Sequence, residues 1–377
     1  MVVTQVRELP QVIQGGMGVG VSSWQLARSV SCAGGLGVVS GTALDVVLAR
    51  RLQDGDQGGH MRRALAAFPD SAMARRVLDT YFQPEGRPEG RPYRPVPKLT
   101  LRQTARQQEL AVVANFAEVW LAKDGHAGLV GVNYLEKVQM ATPTVALGAM
   151  VAGVDYVLMG AGVPREIPRL LDDLAAARVA GVGVEVHGAE QPHRVTVDPR
   201  GLLAEALPDL VRPRFLAIVS ATVLAAYLAR DEATRPDGFV VEGPRAGGHN
   251  APPRGKVEFD DRNEPIYGPR DEVDLDKLSA LGIPFWLAGG RGTPERLAEA
   301  RSRGATGIQV GTLFALAADS GLSPHLREQL VGELASGTLD VRTDPLAHRP
   351  GSRSRSPRQP GRSPTDLRTK RANDCVT

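Results

Sequence analysis

The sequence predicts an α/β fold of the (β/α)8 type, a TIM barrel, with a long helical insertion between strands 2 and 3. Eight short apolar runs recur at residues 11–14, 36–40, 129–133, 156–159, 215–220, 239–241, 285–288 and 307–310. Many of them end in Gly, Ser or Asn, and helix-start signals follow several. Runs apolar on both faces are expected where helices cover the outside of a parallel sheet and other side chains fill its inside. At 377 residues the chain is long enough for one such barrel.

The connections read as βα units in series. After the first run, Ser22 with Gln25 forms a capping-box pattern before Leu26, Ala27 and Val30. About seventy residues then separate the second and third runs. They contain two helical segments divided by the arginine-rich stretch 83–92, the second predicted over 101–123 with Val112, Phe116, Val119 and Trp120 on one face. Such an insertion, about 55–125, either lines the barrel mouth as a lid or adds packing to its exterior, and the sequence leaves both open. Pro164 and Pro168 bracket the start of a helix over 169–178. Residues 182–197 alternate like a β-hairpin outside the barrel. Thr293-Pro294-Glu295 opens a helix that runs through Leu297 and Ala300 to Gly304.

Composition narrows the function classes. Hydrophobic residues make up 42% and aromatics 5%, which fits a soluble α/β protein. There is no uncharged apolar run of membrane-spanning length, and the first residues lack the basic and apolar regions of a signal peptide, so a cytoplasmic location is expected. Residues 348–377 hold seven Arg and one Lys against two Asp, a formal +6 against +3 for the whole chain, which leaves the rest net negative. No nucleic-acid or membrane partner is therefore expected of the body of the protein. Cys32 and Cys375 have no paired spacing, which argues against a disulfide framework or thiolate zinc site; Cys32 is read as a packed small residue within a helix.

The chemistry concentrates at strand ends. Gly289-Gly290 precedes the helix that begins near Thr293, and Gly311-Thr312 precedes one that begins near Leu313. A residue without Cβ lets backbone amides approach a phosphate closely, and two such junctions in the last two βα units favour a phosphate-bearing cofactor. The run Gly15-Gly16-Met17-Gly18-Val19-Gly20 lacks the third glycine of a dinucleotide fingerprint, with Val21 in its place, and suits instead close backbone approach to a flat ring.

One histidine of seven is singled out. Gly247-Gly248 precede His249, a strand end carries it to the same face, and Glu242 lies in the same loop. An imidazole with an unperturbed pKa of about 6.5 suits proton transfer near neutrality. No metal is expected, because no His or acid pair has ligand spacing, and Gly-x-Ser-x-Gly is absent.

As a set in this order, the motifs from Val12-Ile13-Gln14-Gly15-Gly16-Met17-Gly18 through Ala246-Gly247-Gly248-His249 and Ala288-Gly289-Gly290 to Gly311-Thr312-Leu313-Phe314 resemble the nitronate monooxygenase, or 2-nitropropane dioxygenase-like, family of FMN-dependent barrels. The resemblance implies an FMN-binding barrel over residues 8–347; the basic tail over 348–377 departs from the family, is expected to be disordered because it has no apolar periodicity, and looks like translation in a shifted reading frame. It implies ring contacts from Gly15, Gly16, Met17 and Gly18, further cofactor contacts from Asn133, Ser220, Glu242, Gly247 and Gly248, and a phosphate site at Gly289, Gly290, Gly311 and Thr312. His249 would be the catalytic residue. The implied activity is oxidation of alkyl nitronates with O2 to a carbonyl compound and nitrite. The same barrel and Gly-Gly-His loop also resemble FMN-dependent enoyl thioester reductases, so the alternative is enoyl or quinone reduction with NAD(P)H as reductant. A second alternative is a non-catalytic or damaged phosphate-binding barrel. The partners implied are a small-molecule substrate with O2 or NAD(P)H, and a homo-oligomer is compatible with the sequence.

Overall fold

The computed structural model describes residues 8–186, 188–244, 248–262, 264–344 and 353–357, with the side chains of 248–250, 342–344 and 353–357 outside the description. The barrel strands are β1 (Val12–Gln14), β2 (Gly37–Ser40), β3 (Val130–Leu135) and β4 (Tyr156–Gly160). A hairpin of β5 (Ala180–Val184) and β6 (His193–Val197) follows, antiparallel as expected and paired with no barrel strand. The barrel resumes with β7 (Arg214–Val219) and β8 (Gly238–Glu242); after the short β9 (Gly248–Asn250) come β10 (Phe285–Ala288) and β11 (Gly307–Val310).

The eight barrel strands are all parallel, in the order β1-β11-β10-β8-β7-β4-β3-β2. The seam between β1 and β2 is closed by a parallel bridge from Ile13 to Leu36, with Gln14 N donating to Leu36 O at 3.0 Å and Leu36 N to Val12 O at 2.9 Å. A closed ring of eight parallel strands with helical crossovers is the TIM barrel that the sequence predicts.

Alternation along each strand divides the core in two. Ile13, Leu36, Val38, Tyr156, Leu158, Leu216, Val240 and Trp286 fill the barrel's interior. Their neighbours in sequence, among them Val39, Val132, Val157, Ala217, Val241 and Leu287, join the larger core between sheet and helices. Trp286 anchors the floor, its Nε1 donating to Pro10 O at 2.6 Å.

The helices α1 (Trp24–Cys32), α2 (Leu44–Gln53), α3 (His60–Ala66), α4 (Ser71–Tyr81) and α5 (Ala105–Lys123) precede β3. The N-cap of α1 is Ser23, whose hydroxyl accepts from Leu26 N at 3.5 Å, and not Ser22. Cys32 is exposed at the last position of α1, where the helix has turned away from the sheet, rather than packed as expected. The insertion holds three helices, not two, and the last starts four residues later than predicted, where Thr104 and Gln107 form a reciprocal capping box. Nor is α5 apolar on one face only. It is buried on most sides because it takes the barrel's own helical layer, against α1, α2 and the next helix, with α3 and α4 also packed on it.

That next helix is α6 (Thr142–Val151), followed by α7 (Ile167–Ala175), which begins and ends earlier than the predicted 169–178 because Pro168 sits inside its first turn. Further along are α8 (Pro199–Leu203), α9 (Thr222–Ala229), α10 (Leu275–Ser279), α11 (Pro294–Ser302), α12 (Thr312–Ala315) and α13 (Pro324–Ala335). No helix among the described residues is long and apolar enough to cross a membrane.

The chain's last described pieces, β12 (Val341–Asp344) and β13 (Arg353–Pro357), form a three-stranded antiparallel sheet with β9. Of the tail 348–377, only the backbone of Arg353–Pro357 is described, as this short strand. The rest of that tail lies outside the described residues.

The α5–α6 crossing depends on Gly148, since a Cβ there would lie 2.3 Å from the backbone O of Val112. Gly148→Ala is expected to destabilise the fold by about 1–3 kcal/mol through overpacking against rigid backbone. Chemical denaturation of the purified variant beside the parent measures this.

Candidate active site

The first strand delivers its glycine loop in a fixed shape. Gln14 is fully buried at the end of β1, and its Nε2 donates to Gly15 O at 2.6 Å and to Ser22 Oγ at 3.0 Å while its Oε1 accepts from Val38 N at 2.8 Å. Ser22 Oγ accepts from Met17 N at 2.9 Å and donates to Gly15 O at 3.2 Å. Ser22 thus ties the loop rather than capping the helix.

This shape brings several expected residues together. Gly16 stands against Asn133, so closely that a Cβ on Gly16 would be 2.3 Å from the Asn133 Cβ. Met17 reaches toward Gly311, its Cγ 4.0 Å from where a Cβ of that glycine would lie. Gly15 N donates to Val310 O at 2.8 Å, which ties the loop to the end of β11. Gly18 is different: it is exposed, its carbonyl accepts from Val21 N at 3.0 Å, and it serves the turn.

At the end of β10, Gly289 and Gly290 both adopt left-handed conformations, with φ of 93° and 64°, and the space where a Gly290 Cβ would project is open. Thr293 caps α11 as expected, its hydroxyl accepting from Arg296 N at 3.3 Å. A second strong helix dipole beside it is not found: Gly311 leads into α12, which is one turn of four residues. So short a helix sums few peptide dipoles, and Gly311 and Thr312 offer loop amides instead. Sequence reasoning missed the cation here. Arg291 follows the glycine pair directly, its Nη1 3.6 Å from Glu299 Oε1 and its Nε buried with no hydrogen-bond partner among the described residues. An arginine after Gly-Gly at a strand end was the available signal.

The inward row at the mouth is polar. Ala288 pairs in register with Glu242 on one side and Gln309 on the other, so three neighbouring strands present these side chains abreast. Glu242 keeps some exposure as a residue, but burial of its carboxyl pushes the pKa up to about 8. Ser220 and Glu242 meet at a small cavity of about 20 Å³ that Tyr267, Arg254 and Asp271 also line. It has room for about one water. Arg254 Nη2 donates to Ser220 O at 2.8 Å and Arg254 N to Asp271 Oδ1 at 2.7 Å, which fixes this wall. A larger cavity of about 320 Å³ lies between α7 and the β5–β6 hairpin, where Arg194 and Glu166 pair at 2.8 Å.

The backbone of Gly248 and His249 lies in β9, in register with Arg355 and Ser354 of β13. Their side-chain surroundings and all of Gly247 lie outside the described residues. Among the described residues no group of three or more His, Cys, Asp and Glu could hold a metal ion.

The mouth therefore has the parts for a phosphorylated, planar ligand. Left-handed glycines and Arg291 suit an anion at one side, while the Cβ-free loop at Gly15 and Gly16 suits a flat ring beside Asn133 and the row of Glu242 and Gln309.

Comparison with known proteins bears on the same region. The (3aS,4S,5R,7aS)-5-hydroxy-7a-methyl-1-oxo-octahydro-1H-indene-4-carboxyl-CoA dehydrogenase of Mycobacterium tuberculosis is 27% identical over 209 residues, which cover 50% of this chain and 56% of that protein. The chain thus spans about half the length of this relative. Among solved structures, FabK from Thermotoga maritima is similar over 93% of this chain and 72% of its own, at 18% identity and a TM-score of 0.49. Nitroalkane oxidase from Streptomyces ansochromogenes is similar over 92% and 76%, at 17% identity and a TM-score of 0.47. The family model described as nitronate monooxygenase matches residues 207–344. That segment carries Glu242, the Gly289-Gly290 turn, Gln309 and Gly311 of the mouth, and there the chain is similar to the nitronate monooxygenase family.

Proposed function

We propose that the protein is an FMN-dependent oxidoreductase that oxidises alkyl nitronates with O2 to a carbonyl compound and nitrite. The observation that carries this reading is the convergence, at one end of the barrel, of the Gly15–Gly16 loop, the left-handed Gly289-Gly290 turn with Arg291, and the partly buried acid Glu242, in a chain whose residues 207–344 match the nitronate monooxygenase family model. FMN, when bound, supplies the electron transfer between substrate and dioxygen.

The chain's own residues hold the ligand and manage protons. Gly289, Gly290, Gly311, Thr312 and the Arg291 guanidinium would hold the phosphate, with backbone amides able to approach because the glycines carry no Cβ. Gly15, Gly16 and Met17 would bear on the ring, and Asn133, pressed against Gly16, would orient it. His249 would bind the nitronate anion when protonated, or remove the α-proton of a nitroalkane when neutral. Glu242, with its carboxyl neutral below about pH 8, can donate a hydrogen bond where an ordinary carboxylate could only accept one.

A second reading has its own observation. Val138, Met140, Val163, Val186, Val223 and Tyr227 are exposed on the segments that follow β3, β4, β5 and β7. Those connections are joined by Glu185 N to Gln139 Oε1 at 3.2 Å and by Arg165 Nη1 to Tyr227 OH at 3.4 Å. Exposed apolar side chains on these connections suit a bulky acyl thioester better than a small nitroalkane, in line with the carboxyl-CoA in the mycobacterial relative's name. Reduction of an enoyl thioester with NAD(P)H is the corresponding activity.

Purified protein is expected to be yellow, with the absorbance of an oxidised flavin and FMN as the mass of the released cofactor; a colourless protein that takes up no FMN would refute the assignment. Anaerobic mixing with an alkyl nitronate is expected to bleach the flavin, whereas bleaching by NADPH alone would favour the second reading. His249→Ala is expected to keep its flavin and lose about 10²- to 10⁴-fold in turnover, measured in steady-state assays.

Glu242 sets a pH dependence of stability. Its folded-state pKa of about 8 lies above the ordinary 4.5, so the folded protein holds a proton that the unfolded chain releases, and stability falls as pH rises between those values. Glu242→Gln is expected to melt at a higher temperature than the parent, with the gap widening from pH 5 to about pH 8 and levelling above it. Thermal melts across that range read this directly.

A further inference from the structure

The inward row at the mouth changes chemistry around the ring. On β8 and β11 it carries Glu242 and Gln309, in register across Ala288 of β10. On β3, β4 and β7 it carries Leu135, Gly160 and Ile218 instead. A Cβ on Gly131 would meet Val38 and Leu158 of the inner core, so Asn133 and Leu135, two and four residues on, share the inward face of β3. Gly160 follows Tyr156 and Leu158 on the inward face of β4, and Ile218 follows Leu216 on that of β7. Leu135 pairs in register with Gly160, and a Cβ on Gly160 would lie 2.8 Å from Ile218 Cβ. The three positions are therefore abreast, and Leu135 and Ile218 each keep part of their surface open.

This apolar stretch is braced from behind. Glu136 N donates to Gly160 O at 2.9 Å, and Gln139 Nε2 donates to Glu136 Oε1 at 3.2 Å. Ala161, the next residue after Gly160, is held in the left-handed region at φ 60°, a conformation that persists only where surrounding contacts enforce it. In the ring, β3 and β4 stand opposite β10 and β11. A cofactor held by its phosphate at Gly289, Gly290 and Gly311 thus leaves this wall to the substrate. Resting on the flavin reading, we infer that Leu135, Gly160 and Ile218 form a subsite for the hydrocarbon group of the substrate, and that the missing side chain at Gly160 sets its depth. The alkyl group of a nitronate and the chain of an acyl thioester share this chemistry, and an apolar wall selects either by the methylene groups it removes from water.

The test titrates the full-length, FMN-loaded protein with propanoate, butanoate and pentanoate, unreactive planar anions of growing chain length, by calorimetry in the parent, Gly160→Ala and Leu135→Asn. The parent is expected to bind pentanoate about tenfold more tightly than propanoate. Gly160→Ala, which shortens the subsite, and Leu135→Asn, which makes its wall polar, should each bring that ratio to within about twofold. Leu135→Asn adds no bulk at a partly open position, so the test stands even where Gly160→Ala fails to fold. A parent that binds the three anions alike or not at all, or a Leu135→Asn variant that keeps the parent's ratio, overturns the inference. Steady-state kcat/KM should rise with chain length in the same way for alkyl nitronates with O2 or for enoyl thioesters with NADPH, and whichever series does so identifies the source of the chain. A protein that takes up no FMN overturns the flavin reading itself, so the two failures are distinct.

Discussion

The barrel closes through a strand of three residues, and one buried carboxamide carries much of that closure. Gln14 has no exposed surface; its Oε1 takes the amide of Val38 from β2, and its Nε2 reaches both Gly15 O and Ser22 Oγ. A seam of so few residues has few ladder bonds to spare, and a buried amide group must find partners for its donors and its acceptor. Gln14 meets both demands at once. The bonds that shut the barrel are therefore the bonds that shape the first glycine loop. From there the constraint spreads, because Gly16 presses on Asn133 of β3, and Met17 reaches Gly311 beyond β11.

Above the seam the interior changes character. The floor is apolar around Trp286, and its shape depends on small neighbours such as Gly238, where a Cβ would come within 2.8 Å of the indole. The mouth holds Asn133, Glu242 and Gln309 with glycines between them. Polar groups at the edge of a dry interior are costly to leave unmet, so a concave mouth of this kind favours a ligand that completes their hydrogen bonds. The same desolvation holds the Glu242 carboxyl in its neutral form over most of the physiological range.

Much of this was legible in the chain itself. All eight barrel strands lie where apolar runs end in small or polar residues, because a strand buried on both faces has a compositional signature that survives without an alignment. Thr293 as a cap and the hairpin at β5 and β6 were legible for equally local reasons. What escaped reading depended on tertiary partners. Ser22 looks like a cap until Gln14 is seen to engage it, and α5 looks one-sided until α3 and α4 are packed against it. Gln309 sits in a stretch that reads as ordinary strand, and only its buried, unmet oxygen marks it out. The brevity of α12 was equally hidden, since Gly311-Thr312 resembles any strand-to-helix junction.

The exposed thiol of Cys32 gives the molecule a handle with a known direction. It ends α1, and a helix that leaves the mouth after β1 must finish at the floor to feed β2. With Cys375 replaced by serine, coupling through Cys32 to a gold electrode or a maleimide surface would stand the barrel upright, its floor on the support and its mouth open to the solution.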